Sequence, residues 1–105
     1  MKKIIFICGN GNISFEKFNE YYINKLKHHI NPNNYFIIGD FRGVDTLIQE
    51  YLKTLTSNVE VCHLYKKPRY LSDKFKTYVC NWKITGNFKT NEERDLYMIN
   101  KCTHF

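Results

Sequence analysis

Three short apolar runs, each followed by a polar turn, constrain most strongly how this chain can fold. They cover residues 3–8 (KIIFIC), 35–38 (YFII) and 59–65 (VEVCHLY). Continuous apolar runs of this length are typical of strands that are buried on both faces of a parallel sheet. We therefore expect each run to form a β-strand in the middle of the fold.

The segments between these runs have the periodicity of amphipathic helices. Ser14 stands where an N-cap is expected, and residues 31–34 (NPNN) are typical of a helix end followed by a turn. Apolar residues recur at helical spacing: Phe15, Phe18, Tyr22, Leu26 and Ile30 in the first segment, and Val44, Leu47, Ile48, Tyr51, Leu52 and Leu55 in the second. Strands that alternate with helices over short connections predict an α/β fold, a three-layer Rossmann-like parallel sheet.

Residues 65–91 follow no single period. Ser72 could cap a short helix over residues 73–80, but an alternating pattern further on suits a strand equally well, and both alternatives stay open. That pattern consists of Tyr78, Cys80, Trp82 and Ile84. Gly86 is expected to break either element. We treat residues 1–105 as a single domain in which 65–91 form an irregular or lid-like insert.

The last part of the chain is predicted to be helical. Asn91 is a suitable N-cap, and Glu92 and Glu93 lie in the first turn, where carboxylates interact favourably with the helix dipole. This helix is expected to end near Lys101.

Composition limits the class of protein. The chain has 105 residues, enough for one compact domain, and no apolar run is long enough to cross a bilayer. Its net charge is +6, which suits nucleic-acid binding, although the lysines are spread along the chain. The four cysteines form no C-x-x-C pair and no zinc-ligand spacing. We therefore expect a cytoplasmic protein, in a reducing intracellular compartment, that does not bind membranes and holds no metal and no other cofactor.

Two glycine-containing loops follow the first two predicted strands. Ligands of parallel α/β sheets bind beyond the carboxyl ends of the strands, and helix N-termini attract phosphate or carboxylate groups. Glycines also let the backbone approach a ligand closely. We therefore expect these loops to bind a ligand through Gly9, Asn10, Gly11, Asn12, Ser14, Gly39, Asp40, Arg42, Gly43 and Asp45.

Each loop also has a purely structural interpretation. Residues 9–12 (GNGN) lack the third glycine of a dinucleotide-binding fingerprint and could form only a turn before the Ser14 cap. Asp45 could simply favour the helix dipole. Alternatively, Asp45 could fix Arg42, or accept hydrogen bonds from loop amides or from the ribose of a ligand.

The segment IIGDFRGVDTLIQEYL resembles the G-x-x-x-G-x-D segment of the SLOG superfamily of Rossmann-like domains. This superfamily includes the "lonely guy" phosphoribohydrolases and the YspA-type domains. Matched by position, Gly39, Arg42, Gly43 and Asp45 correspond to that motif. NEERDLYMINK is similar to the Arg-x-x-x-Met helix of these families, with Arg94 in the arginine position. The resemblance implies that Arg94 approaches the same ligand site.

Members of this superfamily bind nucleotides or nucleotide-derived ligands, and some hydrolyse N-glycosidic bonds. Distant Rossmann-like relatives transfer deoxyribose between bases. Catalysis in these enzymes depends on a later Gly-Thr loop, often with a glutamate nearby. The sequence stops at Phe105, before such a loop. The resemblance therefore implies a C-terminally truncated domain whose catalytic part is in question.

Three functional hypotheses follow. The leading one is a domain that binds a nucleotide or a nucleotide-derived ligand at the edge of the sheet. The second is an N-glycosidase or deoxyribosyltransferase for nucleoside monophosphates, with Asp40, Asp45 and Glu93 as candidate acids. The third is a nucleic-acid or protein interaction module, because Lys66, Lys67, Arg69, Tyr65 and Tyr70 form a basic and aromatic patch.

The resemblance also bears on oligomeric state. In a 3-2-1-4 strand order, a fourth strand beyond Phe105 would flank the first strand. Without that strand, residues 3–8 would form an unpaired apolar edge, which favours pairing with another chain. We therefore expect a homodimer, or another partner chain, along this sheet edge.

Overall fold

The computed structural model describes residues 3–7, 13–41 and 43–103. They form an α/β fold with one four-stranded sheet, in which all neighbouring strands are parallel and the order is β1-β2-β3-β4. The strands are β1 (Lys3–Ile7), β2 (Asn34–Ile38), β3 (Val59–Leu64) and β4 (Lys83–Phe88). The predicted fold class and all three predicted strands are confirmed.

Helices cover both faces of this sheet. They are α1 (Phe15–Phe18), a π-helical stretch (Asn19–Ile23), α2 (Asn24–Leu26), α3 (Val44–Leu52), a 3₁₀ turn (Tyr78–Asn81) and α4 (Asn91–Lys101). The Ser14 hydroxyl accepts the Lys17 N–H at 3.2 Å, so the predicted cap is confirmed. Thr90, rather than Asn91, caps α4. No helix among the described residues is both long and apolar enough to span a membrane.

The sheet separates two apolar cores. On one face α1, α3 and the 3₁₀ turn pack on alternate strand residues, in a core that includes Phe18, Phe36, Ile38, Val44, Ile48, Leu52, Val61, Val79 and Trp82. On the other face α4 packs on a smaller core of Phe6, Ile37, Cys62 and Met98. Burial raises the pKa of the Cys62 thiol to about 12.

A buried carboxylate fastens α4 to β3. Glu60 accepts hydrogen bonds from Lys101 at 2.5 Å, from Tyr97 at 2.7 Å and from Thr85 at 2.5 Å. Burial opposes ionisation of Glu60, but these hydrogen bonds outweigh that effect and hold its pKa below the usual value. Because all the partners come from α4 and β4, we infer that Glu60 is structural.

The fourth strand lies in the region that the sequence left undecided. Gly86 was expected to break this segment, and that prediction is wrong, because Gly86 lies inside β4. A Cβ atom at this position would collide with Cε1 of the His63 ring. The buried His63 ring of β3 therefore occupies the space that a side chain in β4 would need.

A strap without regular structure, residues 65–77, connects β3 to the 3₁₀ turn. Side chains of α3 hold it: Gln49 donates to the Tyr70 carbonyl at 3.2 Å and accepts from the Ser72 N–H at 2.9 Å. Glu50 accepts from the Tyr70 hydroxyl at 2.5 Å and the Ser72 hydroxyl at 2.7 Å. The range predicted as an irregular insert thus contains a clamped strap and a strand of the sheet.

The first strand lies at one edge of the sheet, as expected. Thr103, just beyond α4, meets this edge: its N–H donates to the Ile4 carbonyl at 2.8 Å, and its hydroxyl accepts the Ile4 N–H at 2.9 Å. The strand that completes the sheet, β4, flanks β3. Part of the β1 edge is therefore covered within the chain, and the homodimer stays a prediction.

We expect Gly86→Ala to destabilise the chain by about 1–3 kcal/mol, the usual cost of overpacking a core. The new methyl group would collide with the His63 ring. Removing that ring should remove the penalty, so Gly86→Ala should be nearly neutral in a His63→Ala background. Urea unfolding of the four proteins in this cycle measures the coupling. Equal costs of Gly86→Ala in the two backgrounds would contradict the steric explanation.

Candidate functional site

Four segments meet at the carboxyl edge of the sheet and form what we call the sheet-edge cluster. One is the loop after β2, and the others are the first turn of α3, the strap, and the first turn of α4. The cluster consists of Gly39, Asp40, Phe41, Asp45, Arg69 and Arg94. The structure thus brings together four of the residues that the sequence predicted for a site: Gly39, Asp40, Asp45 and Arg94.

Asp40 is the central acceptor of the cluster. It is only 1% exposed. Its Oδ2 accepts the backbone N–H of Arg69 at 2.5 Å, and its Oδ1 accepts the guanidinium of Arg69 at 3.0 Å. The guanidinium of Arg94 donates to the same Oδ1 at 3.3 Å. Two cations therefore compensate a carboxylate that has no access to water.

The two arginines differ in how far they reach solvent. Arg94 is buried and bridges Asp40 to Asp95, whose Oδ1 lies 3.3 Å from the Arg94 Nη2. The side chain of Arg69 remains 44% exposed. Its guanidinium lies 5.0 Å from the centre of the Phe41 ring, in a cation–π contact. Arg69 is thus the described cation of the cluster that a ligand in solution can reach.

Gly39 lies beneath Asp45 and Arg94. A Cβ atom at Gly39 would stand 2.7 Å from the Asp45 Oδ2 and 3.8 Å from the Arg94 Cζ. The glycine is needed here because the carboxylate packs directly on the backbone. Gly43 meets a different requirement, since its φ of 84° lies in the region that residues with a side chain rarely adopt.

Asp45 is the second carboxylate of the cluster. Its Oδ2 accepts the Phe41 N–H at 3.1 Å, which is one of the loop-amide contacts that the sequence suggested. Burial raises the pKa of Asp45 to about 6, against the lowering effects of that hydrogen bond and of Arg94. A carboxyl group with this pKa can hold or release a proton near neutral pH.

Gly9, Asn10, Gly11, Asn12 and Arg42 lie outside the described residues, so their place in the site stays a prediction.

Two other predicted residues have structural contacts. Ser14 caps α1. Glu93 is exposed and accepts the Lys89 N–H at 2.8 Å, while its own N–H donates to the Thr90 hydroxyl. These contacts make Glu93 part of the cap of α4. Glu93 therefore lies outside the sheet-edge cluster, whereas Asp45 belongs to it, and burial raises the pKa of Asp45 to about 6.

Two cluster residues were not predicted as site residues. Arg69 was assigned to the basic and aromatic patch, and Phe41 occupies one of the x positions of the G-x-x-x-G-x-D motif. A signal for Arg69 did exist, because Asp40 lies two residues beyond the end of a buried strand and a buried carboxylate needs a cation. The sequence did not show which cation, since Arg69 lies 29 residues further along the chain.

No known protein family, curated protein or solved structure matches the chain. Among the described residues, no group of three or more histidine, cysteine, aspartate or glutamate side chains could hold a metal ion. Functional inference therefore rests on the geometry of the sheet edge.

We expect Asp45→Asn to change how stability depends on pH. The folded chain protonates Asp45 near pH 6 and the unfolded chain near 3.8, so the folded state binds more protons between these values. The free energy of unfolding should therefore fall as pH rises from 4 to 6. Above pH 6 the variant should be more stable than the natural chain, by at most about 3 kcal/mol.

Urea unfolding at pH 4, 5, 6 and 7.5 measures this difference. Asp73→Asn is a matched control, because Asp73 is exposed and also accepts a backbone N–H, that of Phe75, at 2.9 Å. Its curve should run parallel to that of the natural chain. A parallel curve for Asp45→Asn as well would contradict the raised pKa.

Proposed function

We propose that the sheet-edge cluster binds a nucleotide or a nucleotide-derived ligand. The convergence of Asp45 and Arg69 at the carboxyl edge of a parallel sheet, where Gly39 leaves room for the Asp45 carboxylate, carries this proposal. Ligands of open α/β sheets bind at this edge, where loops from several strands meet. The arrangement offers both a hydrogen-bond acceptor and a cation to one ligand.

Each group suits a different part of a nucleotide. The Asp45 carboxylate is an acceptor for ribose hydroxyl groups. The half-exposed Arg69 can contact a phosphate oxygen, since its guanidinium has more donors than Asp40 uses. Gly43 provides no side-chain cap at the start of α3, so a ligand phosphate can face this helix N-terminus. Arg42 is expected to add a second cation here.

The SLOG resemblance supports the proposal through Gly39, Arg42, Gly43, Asp45 and Arg94. Membership of that superfamily and a cytoplasmic location stay predictions. The cluster described above does not depend on either of them, because its contacts follow from the fold.

A thermal-shift screen against nucleoside mono-, di- and triphosphates tests the proposal. A ligand at 100 times its Kd stabilises the native state by about 2.7 kcal/mol. Arg42→Ala should weaken the binding of any hit about tenfold or more, the value of a charge-assisted hydrogen bond. Lys74→Ala is the control, because Lys74 lies beside Thr54 and Tyr78, away from the cluster. Equal affinities of both variants would remove Arg42 from the site, and a screen without any hit would contradict the proposal.

The second candidate function is hydrolysis or transfer at an N-glycosidic bond. The observation that favours it is Asp45, whose pKa of about 6 allows acid–base work near neutral pH. Asp40 is less suited to this chemistry, because its carboxylate forms ion pairs with Arg69 and Arg94 and is buried away from water.

Chromatography of nucleoside monophosphates after incubation with the protein tests the second candidate. The expected result is release of the free base by the natural chain and at least a hundredfold slower release by Asp45→Asn, the usual scale of general acid–base catalysis. Absence of release from all common nucleotides would leave the binding function alone.

A further inference from the structure

A basic groove lies next to the sheet-edge cluster, beyond the ends of β3 and β4. Its volume is about 710 Å³, and its lining includes Tyr65, Lys66, Lys67, Arg69, Asn87 and Lys89. No carboxylate is among the described residues that line it. Glu93 stands beside the groove, but its carboxylate accepts the Lys89 N–H as part of the α4 cap. The groove is therefore a concave surface with several positive charges and one aromatic ring.

The cations of the groove are not equivalent. Arg69 is paired with Asp40. Lys66, Lys67 and Lys89 are exposed, and none of them forms a salt bridge with a described residue. These three lysines can therefore neutralise phosphates without breaking an ion pair of the fold.

Tyr65 presents its ring to solvent from a fixed backbone. The residue is 65% exposed and has a φ of 54°, a conformation that is rare for a bulky side chain. Its N–H donates to the Phe88 carbonyl at 2.9 Å, and its carbonyl accepts the Asn87 N–H at 2.7 Å. Two hydrogen bonds to the end of β4 thus hold an exposed aromatic residue beside the lysines.

We propose that this groove binds single-stranded nucleic acid. The three lysines contact successive phosphates, and an unpaired base stacks on the Tyr65 ring. Sequence-tolerant binding of single strands combines a positive groove with aromatic stacking in this way. Bound duplex would leave the ring unused, because its bases are already stacked on one another. The net charge of +6 adds a general attraction for a polyanion.

The number of lysines sets the expected salt dependence. For single strands the logarithm of affinity falls with the logarithm of salt concentration with a slope of about −0.7 per neutralised phosphate. Three phosphates then give a slope of about −2, so affinity should fall roughly 20-fold between 50 and 200 mM KCl. Fluorescence anisotropy with a labelled oligothymidylate of about ten nucleotides, a length within the range covered by single-strand-binding modules, measures this slope.

Two double variants distinguish binding in this groove from diffuse attraction by the net charge of the chain. Lys66→Ala/Lys67→Ala should reduce the slope to about −0.7, because one lysine remains. Lys25→Ala/Lys27→Ala removes the same charge from exposed positions at the end of the first helical region, and its slope should stay near the natural value. Equal slopes for the two double variants would overturn the proposal in favour of diffuse attraction.

The Tyr65 ring is tested without changing charge. Tyr65→Asn removes the ring and keeps a residue that accepts a positive φ, so the fold should persist. We expect about tenfold weaker binding with an unchanged salt slope, whereas Tyr65→Phe should bind as the natural chain does. Unchanged affinity of Tyr65→Asn, or equal affinity for inorganic polyphosphate and for the oligonucleotide, would overturn the proposal. So would the absence of binding at 50 mM KCl.

Discussion

The burial of one carboxylate, Asp40, determines how the carboxyl edge of the sheet is built. A buried charge without a partner is very costly, so the loop after β2 is compatible with the fold only when cations reach it. Arg69 and Arg94 come from the strap and from α4, on opposite faces of the sheet. Their common acceptor therefore joins three segments that are distant in sequence. If either arginine were lost, only one ion pair would remain to compensate the negative charge of Asp40.

Two positions in and beside the sheet require glycine, because a neighbouring side chain packs against the backbone there. Gly39 and Gly86 both lie where a neighbouring side chain occupies the space of a Cβ atom, Asp45 in one case and His63 in the other. At Gly39 the contact brings a carboxylate onto the backbone of the β2 loop. At Gly86 it accommodates the His63 ring where the pairing of β3 with β4 shifts register. Both glycines therefore make room for a side chain that comes from another element.

Local patterns account for the part of the fold that could be predicted. β1, β2 and β3 are continuous apolar runs, and α3 has an apolar face at regular spacing, so neighbours in sequence suffice to define them. The fourth strand stayed one of two open alternatives, and its extent past Gly86 could not be predicted, because the reason for Gly86 is a ring on another strand. The cluster was predictable only in part for the same reason. Asp40 could be recognised from its position, but its partners lie 29 and 54 residues further along the chain.

The two aspartates of the edge differ in their hydrogen-bond donors, because both arginines donate to Asp40. Arg69 and Arg94 donate to Asp40, which leaves Asp45 with a backbone amide as its described hydrogen-bond donor. Burial then dominates and raises the pKa of Asp45, since a hydrogen bond from a neutral amide compensates a charge less well than a guanidinium does. Sites that perform acid–base chemistry often pair carboxylates whose environments differ in this way. The interaction that stabilises the edge is therefore also the one that leaves Asp45 able to change its protonation state near neutral pH.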